Sequence, residues 1–240
     1  MSDRIVSIMQ PYVFPYLGYW QLLQEADVFV VYDDVNYIKQ GYISRNNILL
    51  NGQRHQFAIS LDGASPNKLI NEIEIKDDFM KFRKTLEMNY RKAPYYNETM
   101  EVLDKIFAYQ DKNLGRFLGN QIKVLAKHWG LGTEIVYSSD LKNDTSLRAY
   151  HKVIAIVREL GGVKYVNSIG GTELYDEKIF AEAGINLGFM KMHKVEYKQF
   201  KSDFVPYLSI IDVMMFNSND EVRCLLKGYD VITAGGEKKW

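Results

Sequence analysis

The stretch that decides the fold runs from Ile5 to Asn46 and reads IVSIMQPYVFPYLGYWQLLQEADVFVVYDDVNYIKQGYISRN. It contains two apolar runs of strand length, Ile5–Met9 and Val28–Tyr32, separated by a Pro/Gly turn and an amphipathic segment, Tyr19–Glu25. A strand, a Gly/Pro loop, a helix and a second strand form the pattern of a βαβ unit with buried parallel strands. Because such units bind ligands at the carboxyl ends of their strands, we expect a crevice at that edge.

A predicted pair of antiparallel strands follows this unit. Asn51-Gly52 is a strong hairpin signal between a short apolar run, Ile48–Leu50, and a return strand, Gln56–Leu61. Residues Leu69–Ile75 alternate apolar and polar side chains, which predicts another strand or a strand edge.

Three amphipathic segments come next and predict helices at Phe79–Tyr90, Glu98–Gln110 and Leu114–Trp129. The third ends at Gly130, a residue typical of the position after a helix. Together they predict a helical insertion at about residues 79–129.

The rest of the chain returns to the αβ pattern. Strands are expected at Thr133–Ser138, Lys164–Asn167 and Asn186–Met192, helices at Ser146–Leu160, Asp176–Ala183 and Leu208–Phe216, and a loose tail after Lys227. This order predicts an α/β fold with a Rossmann-like, mainly parallel sheet, flanking helices and the helical insertion, all in a single domain of residues 1–240.

Composition limits the function classes. Thirty Lys and Arg residues balance thirty Asp and Glu residues, so no basic surface indicates a nucleic-acid partner. The single cysteine, Cys224, cannot form an internal disulfide, and its apolar neighbours predict a buried thiol in a reducing compartment. The N-terminal residues lack a signal-peptide pattern, and no apolar run reaches the roughly 20 residues of a membrane span. We therefore expect a cytoplasmic protein.

Aromatic side chains concentrate in the loop after the first strand. Gln10, Tyr12, Tyr16 and Tyr19 surround Gly18 at the start of a predicted helix. A helix N-terminus with free amides can bind an anion, and tyrosines suit sugars or bases. The spacing resembles the H-x-G-H loop of nucleotidylyltransferases, but the histidines that would assist phosphoryl transfer are absent. The alternative is a strained strand-to-helix turn with packed aromatics.

Polar residues also follow the second strand. Asp33 or Asp34 could bind sugar hydroxyls or orient an amine, and Arg45 could hold a phosphate, with Lys39 and Asn46 nearby. Adjacent residues of a strand point to opposite faces, so only one aspartate is expected in the crevice. The alternative is that an aspartate caps the next turn and pairs with Lys39 or Arg45. No spacing supplies further oxygen ligands, so we expect no metal site.

The four histidines lack metal-ligand spacing. His151 and His193 are the candidates for a general base, because both fall near strand ends of the second αβ half. No serine lies in a G-x-S-x-G elbow, so nothing indicates a hydrolase triad.

Several of these residues also carry a family resemblance. The relevant positions are Gln10-Pro11, Phe14-Pro15, Leu17-Gly18-Tyr19, Asp27–Val30, Asp33-Asp34-Val35, Tyr37, Arg45-Asn46, Ala93–Tyr96, Gly170-Gly171 with Tyr175, Tyr197 with Gln199, and Leu208–Asp212. With these motifs the chain resembles the WbqC-like family, found in bacterial O-antigen and other surface-polysaccharide gene sets. The resemblance spans nearly the whole chain.

That resemblance implies a transferase that modifies a nucleotide-linked amino sugar, with an acyl or aminoacyl donor whose identity stays open. The residue roles come from the side-chain chemistry described above and not from the family: Asp33, Asp34 or His151 would accept a proton from the attacking amine. The substrate would be bound by Gln10, Tyr12, Tyr16, Gly18, Tyr19, Tyr37, Lys39, Arg45 and Asn46. Two alternatives remain: a nucleotidylyltransferase-like enzyme, and a non-catalytic protein that binds a sugar nucleotide or a pathway partner. The sequence leaves the oligomeric state open, a homo-oligomer included.

Overall fold

The computed structural model describes residues 3–142, 144, 146–200 and 203–240. Its strands are β1 (Ile5–Met9), β2 (Val28–Val31), β3 (Arg45–Leu50), β4 (Gln53–Ala58), β5 (Leu61–Asp62), β6 (Glu74–Ile75), β7 (Glu134–Tyr137), β8 (Lys164–Ser168), β9 (Asn186–Met192) and β10 (Tyr229–Ile232). Its α-helices are α1 (Leu17–Glu25), α2 (Met80–Tyr90), α3 (Tyr96–Phe107), α4 (Leu114–Trp129), α5 (Ala149–Glu159), α6 (Glu177–Glu182), α7 (Ile210–Phe216) and α8 (Asn219–Leu225).

The main sheet has the spatial order β10-β9-β8-β1-β2-β7, with β10 antiparallel to β9 and the other neighbours parallel. The chain runs from β1 outward through β2 to β7, then returns to the other side of β1 and continues through β8 and β9. This reversal is the arrangement of a doubly wound Rossmann-like sheet, in which ligands bind outside the strand ends at the point of reversal. The structure thus confirms the predicted α/β class.

Successive side chains along β2 point to opposite faces of the sheet and pack into two separate hydrophobic cores. Phe29 and Val31 pack with α1 and the α2–α4 helices, whereas Val28 and Val30 pack with α5 and α6 on the opposite face. This alternation follows from the two-residue period of a strand and explains why β2 reads as continuously apolar. Helices cover both faces, so the strand ends at the carboxyl edge are the open side of the sheet.

The predicted helices of residues 79–129 are all present. The α4 bounds match the prediction, with Asn113 accepting a hydrogen bond from the Arg116 amide at its start and Gly130 in the left-handed region at its end. Phe79 stacks between Phe107 and Phe117, with ring centroids 4.9 and 5.0 Å apart. These rings belong to the same core as α1, so the helices pack onto one face of the sheet.

Three local predictions were wrong. Residues Leu69–Ile75 form a 3-10 turn and only two residues of strand, because the segment bends to follow the loop after β2. The tail after Lys227 is ordered as β10, which pairs with β9. The thiol of Cys224 is exposed, since α8 turns Val222 inward instead.

No helix in the described part of the chain has the length and apolar character needed to cross a bilayer.

Candidate functional site

The loop after β1 is held by two polar side chains from distant parts of the chain. The Gln121 Oε1 accepts a hydrogen bond from the Phe14 amide at 2.9 Å, and its Nε2 donates to the Tyr12 carbonyl at 3.1 Å. Asn46 Nδ2 donates to the carbonyls of Val13 and Phe14, at 3.0 and 2.8 Å. Phe14 itself has a φ of +42°, a conformation that costs free energy and therefore needs such support.

The loop so fixed presents tyrosines to two adjoining cavities. The smaller, about 240 Å³, is lined by Tyr12, Pro15, Tyr16, Tyr42, Asn46 and Tyr207. The larger, about 590 Å³, is lined by Tyr16, Leu17, Met192, His193, Lys194, Val195, Glu196, Tyr197, Asp203, Phe204, Pro206, Tyr207, Leu208 and Val213. Tyr16 and Tyr207 belong to both walls. We call this pair of spaces the tyrosine cavities.

The tyrosine cavities lie at the carboxyl edge of the sheet. Their floor includes the first turn of α1, which follows β1, and Met192 at the end of β9. The larger volume falls within the range of about 300–1,000 Å³ that small-molecule sites occupy. Aromatic walls with a polar rim suit a planar or hydroxylated ligand.

The tyrosine hydroxyls remain protonated at neutral pH. Burial raises the pKa of Tyr12 and Tyr16, and neighbouring tyrosines, including Tyr42, raise both further. A protonated phenol can donate as well as accept a hydrogen bond. Tyr42 and Tyr207 are 58% and 64% exposed, so their rings are available for stacking at the mouth of the smaller cavity.

A histidine–aspartate pair borders the larger cavity. His193 Nε2 lies 2.9 Å from Asp230 Oδ2, and Lys238 Nζ lies 2.8 Å from Asp230 Oδ1. The hydrogen bonds from Lys238 and His193 lower the pKa of Asp230, which therefore stays ionised and can orient the imidazole. An imidazole held in one orientation by a carboxylate is a suitable proton acceptor.

The segment between β9 and α7 is fastened to a buried carboxylate. Asp212 accepts hydrogen bonds from Tyr90 at 2.8 Å and from Tyr197 and Gln199, both at 2.7 Å. Burial raises the pKa of Asp212, although all three hydrogen bonds favour its ionised form. Gln199 also pairs through its amide with the Val205 backbone. This segment carries Tyr207 and so forms one wall of the tyrosine cavities.

The two aspartates after β2 form a second polar cluster at the same edge. Asp33 Oδ2 accepts from Ser139 Oγ at 2.7 Å, and Asp34 Oδ2 lies 2.7 Å from Lys152 Nζ. Ser138 Oγ is within hydrogen-bonding distance of both carboxylates. Because β2 ends at Val31, the alternation of a strand no longer separates the two side chains. Asp34 pairs with Lys152, so the alternative in which an aspartate pairs with Lys39 or Arg45 was wrong. Asp33 is completely buried, and the expectation that at most one of the two aspartates enters the crevice stays a prediction.

Asp33 also lies against the start of α4. A Cβ on Gly115 would lie 3.0 Å from the Asp33 Cβ and 3.2 Å from its Oδ2, so a larger residue at this position would press on Asp33. Burial raises the pKa of Asp33, and the hydrogen bonds from Ser139 and Ser138 oppose that shift. The positive end of a helix also favours the ionised carboxylate.

The structure brings some of the predicted residues together and separates others. Tyr12, Tyr16 and Asn46 meet at the smaller cavity, and the Tyr16 ring covers Gly18, where an added Cβ would lie 2.6 Å from Tyr16 Cε2. Tyr19 is buried and donates to the Gln10 carbonyl at 3.2 Å.

Four other predicted residues, Tyr37, Lys39, Arg45 and His151, are not among the residues that line the tyrosine cavities. Tyr37 is buried and shares a hydrogen bond with Ser44 at 2.7 Å, whereas Lys39 is exposed. Arg45 is half-buried, and its Nε has no hydrogen-bond partner among the described residues. A buried guanidinium nitrogen without a partner is suited to an anion. His151 is exposed, with its ring 4.1 Å from that of Tyr150, while the next residue, Lys152, contacts Asp34.

The sequence analysis did not identify four residues at the carboxyl edge of the sheet: Lys152, Ser138, Tyr42 and Tyr207. Ser138 directly follows β7, so its position could have been inferred had the adjacency of β2 and β7 been known. Lys152 sits among apolar residues of α5, where helical periodicity predicts core rather than chemistry. Within the described residues, no group of three or more acidic, histidine or cysteine side chains is arranged to hold a metal ion.

Comparison with known proteins adds the family. The model of the WbqC-like protein family matches residues 10–224, which include the loop after β1, both aspartates and Asp212. The chain belongs to the WbqC-like family. This WbqC-like protein is also 25% identical over 227 residues to the uncharacterized protein Rv1507c of Mycobacterium tuberculosis (strain ATCC 25618 / H37Rv), covering 92% of the present chain and 97% of that protein. No solved structure matches the chain significantly.

Proposed function

We propose that this WbqC-like protein is a transferase that modifies a nucleotide-linked amino sugar in surface-polysaccharide assembly. The observation that carries the proposal is the pair of tyrosine cavities, which share Tyr16 and Tyr207 at the carboxyl edge of a doubly wound sheet. The WbqC-like family is found in bacterial surface-polysaccharide gene sets, which agrees with this substrate class.

Substrate binding follows from the side chains present. Tyr42 and Tyr207 would stack on the base or the sugar, and the hydroxyls of Tyr12 and Tyr16 would donate to sugar oxygens. Arg45, whose Nε lacks a partner within the described residues, would hold a phosphate group. Binding in the cavities would position such a ligand for reaction, which supplies much of an enzyme's rate.

The chemical step is acyl or aminoacyl transfer to the sugar nitrogen. The neutral amine attacks the carbonyl carbon of an activated donor, a new C–N bond forms, and the bond from carbon to the donor's leaving group breaks. The nitrogen loses a proton, and the leaving group departs with the bonding electrons. His193, oriented by Asp230 at 2.9 Å and facing the larger cavity, is the proposed acceptor of that proton. Asp33 and Asp34 would shape the neighbouring edge through Ser138 and Lys152.

A thermal-shift screen of the purified protein tests binding first. Nucleotides, nucleotide-linked sugars with and without an amino group, acyl-CoAs and folates would each be added. A ligand at 100 times its dissociation constant stabilises a protein by about 2.7 kcal/mol. We expect stabilisation by a nucleotide-linked amino sugar, lost in Arg45→Ala and in Tyr42→Ala. Leu174→Ala, which changes an exposed apolar residue outside the cavities, should keep the full shift.

Turnover separates the transferase from its alternatives. A bound sugar nucleotide would be incubated with activated acyl and aminoacyl donors and the product mass recorded. A mass gain of one acyl group, abolished by His193→Ala, supports the transferase. Release of pyrophosphate from ATP or CTP would instead indicate a nucleotidylyltransferase. Tight binding without any turnover would leave a sugar-nucleotide binding protein, and no binding at all would refute the proposal.

A further inference from the structure

A surface on α2 differs in composition from the rest of the chain. Its outward side carries two methionines, Met80 and Met88, which are 71% and 76% exposed. The same side carries Lys81, Lys84, Arg91 and Lys92, all exposed. We call these six residues the α2 surface.

The helical positions explain how these residues come to share one side. With 3.6 residues per turn, Met80, Lys84 and Met88 fall within an arc of about 80°, and Lys81 extends it to about 100°. Arg91 and Lys92 follow directly after the helix, which ends at Tyr90. The opposite side buries Phe82, Leu86 and Tyr90 in the core. The helix is therefore fixed by its inner side, and the α2 surface projects away from the protein.

The cations of the α2 surface outnumber the acids beside them. None of its four cations forms an ion pair within the described residues, in contrast to Arg83, whose Nε lies 2.8 Å from Asp104 Oδ1. The nearby acids are Glu87, on the border of the surface, and Asp77 and Asp78, which line a pocket together with Lys81. The chain as a whole carries no net charge, so this excess of positive charge is local.

The α2 surface adjoins a shallow groove. The groove, about 720 Å³, is lined by Lys84, Glu87, Met88, Asn89, Arg91, Lys92 and Phe200. Phe200 is 36% exposed, and its ring packs edge-on against Phe216 at 4.8 Å. Apolar side chains thus lie between cations along the full length of the helix.

We propose that the α2 surface docks the protein on an anionic lipid bilayer, with the helix lying parallel to the membrane. The cations would lie at the level of the lipid phosphates, and the long stems of lysine and arginine let their charged ends reach water or phosphate while the stems contact apolar groups. Met80, Met88 and Phe200 would enter the boundary between headgroups and acyl chains. A site for a free anion would make no use of the exposed methionines.

Vesicle sedimentation tests the proposal. The full-length protein would be mixed with vesicles of phosphatidylglycerol and phosphatidylcholine, and with vesicles of phosphatidylcholine alone. We expect binding only to the anionic vesicles, weakened by added salt. Each cation near such a surface contributes about a fivefold factor in affinity, so Lys84→Gln with Arg91→Gln should weaken binding about 25-fold. The charge-matched control is Lys127→Gln with Lys178→Gln, two exposed lysines of other helices, which should bind as the wild type does.

The methionines provide a second, independent readout. Met80→Ser with Met88→Ser leaves every charge in place and should weaken vesicle binding several-fold, whereas Leu174→Ser should not. All variants change exposed side chains, and their circular dichroism and melting temperatures should match those of the wild type.

Three results would overturn the proposal. The first is no binding to anionic vesicles. The second is equal loss of binding in the α2 and control variants. The third is binding that soluble glycerol phosphate abolishes and that the methionine variants leave unchanged, which would indicate a site for a free anion. None of these outcomes bears on the tyrosine cavities, so the proposed transferase function stands or falls separately.

Discussion

The ammonium of Lys152 lies 2.7 Å from Asp34 Oδ2 and 3.2 Å from the Asp34 carbonyl oxygen, and the two side chains are only 6% and 11% exposed. Lys152 Nζ also lies 5.1 Å from the centre of the Tyr32 ring. One side chain of α5 thereby fastens the loop that follows β2. The crossover from β7 to β8 is tied to the sheet at the edge where the ligand would bind.

Lys152→Met should therefore destabilise the protein strongly. Removing one partner of a buried ion pair leaves an uncompensated charge and typically costs about 3–5 kcal/mol of unfolding free energy. Urea denaturation would measure the change. The matched control is Arg4→Met, which breaks the exposed Arg4–Glu134 pair and should cost less than about 1 kcal/mol. Adding Asp34→Asn to Lys152→Met should restore part of the loss. Equal losses of unfolding free energy in Lys152→Met and Arg4→Met would contradict the burial of the Lys152–Asp34 pair.

Asn46→Ala should loosen the wall of the smaller cavity. The Asn46 side chain holds the carbonyls of Val13 and Phe14 and accepts from the Asn47 amide at 2.8 Å. Leaving buried groups without partners costs about 1–3 kcal/mol each, so we expect a loss of at least about 2 kcal/mol in thermal or urea unfolding.

Asn47→Ala is the control for Asn46→Ala, because it changes the neighbouring residue of the same type while only backbone atoms of Asn47 form the observed hydrogen bonds. It should change stability by no more than about 0.5 kcal/mol. If both variants lose the same stability, the Asn46 amide does not support the loop.

Asp212 should make stability depend on pH in a defined direction. Burial raises its pKa in the folded state above the unfolded value of about 3.9, so the folded state holds the proton more tightly. Its contribution to stability is then complete below pH of about 4 and is lost as pH rises through the folded pKa.

Asp212→Asn removes this titration. Denaturation across pH should show the stability difference moving in favour of the variant as pH rises from about 4, even if the variant is less stable at low pH through altered hydrogen bonds. A difference that is constant, or that moves toward the wild type with rising pH, would show that the hydrogen bonds from Tyr90, Tyr197 and Gln199 outweigh burial.

Gly119→Ala should displace Tyr137. A Cβ at Gly119 would lie 2.3 Å from Tyr137 Cε1, and the ring has little room because Arg116 and Lys123 flank it at 4.2 and 4.5 Å. Such overpacking typically costs about 1–3 kcal/mol, measurable as a lower melting temperature. Gly132→Ala meets no atom within 4 Å and serves as the control. A melting temperature unchanged in Gly119→Ala would show that the ring can move freely.

An element of this structure could be predicted from the sequence when the residues that determine it lie next to it in the chain. The end of α4 could be predicted because Gly130 directly follows the helix in the sequence. β10 could not, because the register of Tyr229 against Met192 comes from a partner strand and leaves little trace in the segment itself. The sequence predicts features that depend on neighbouring residues, but it does not predict which distant strands pair.

The same distinction applies to the candidate site. Tyr12, Tyr16 and Tyr19 were predicted as binding residues because they crowd the loop after β1, and Asn46 because it follows the second strand near the same edge. Lys152 was missed because only the folded sheet brings α5 to Asp34, 118 residues away in sequence. Tyr207 was missed because its segment reaches the cavity through the buried contacts of Asp212.

The central position of β1 has a consequence for biosynthesis. One side of β1 pairs with β2, only about twenty residues later, but the other side pairs with β8, and Ser7 Oγ donates to the Val166 carbonyl across 159 residues of sequence. Contacts so distant in sequence form slowly. As the chain leaves the ribosome, the free edge of β1 must stay open while most of the remaining residues are translated, and unpaired edges are prone to aggregation. Chaperone demand should therefore be highest before Lys164–Ser168 emerges.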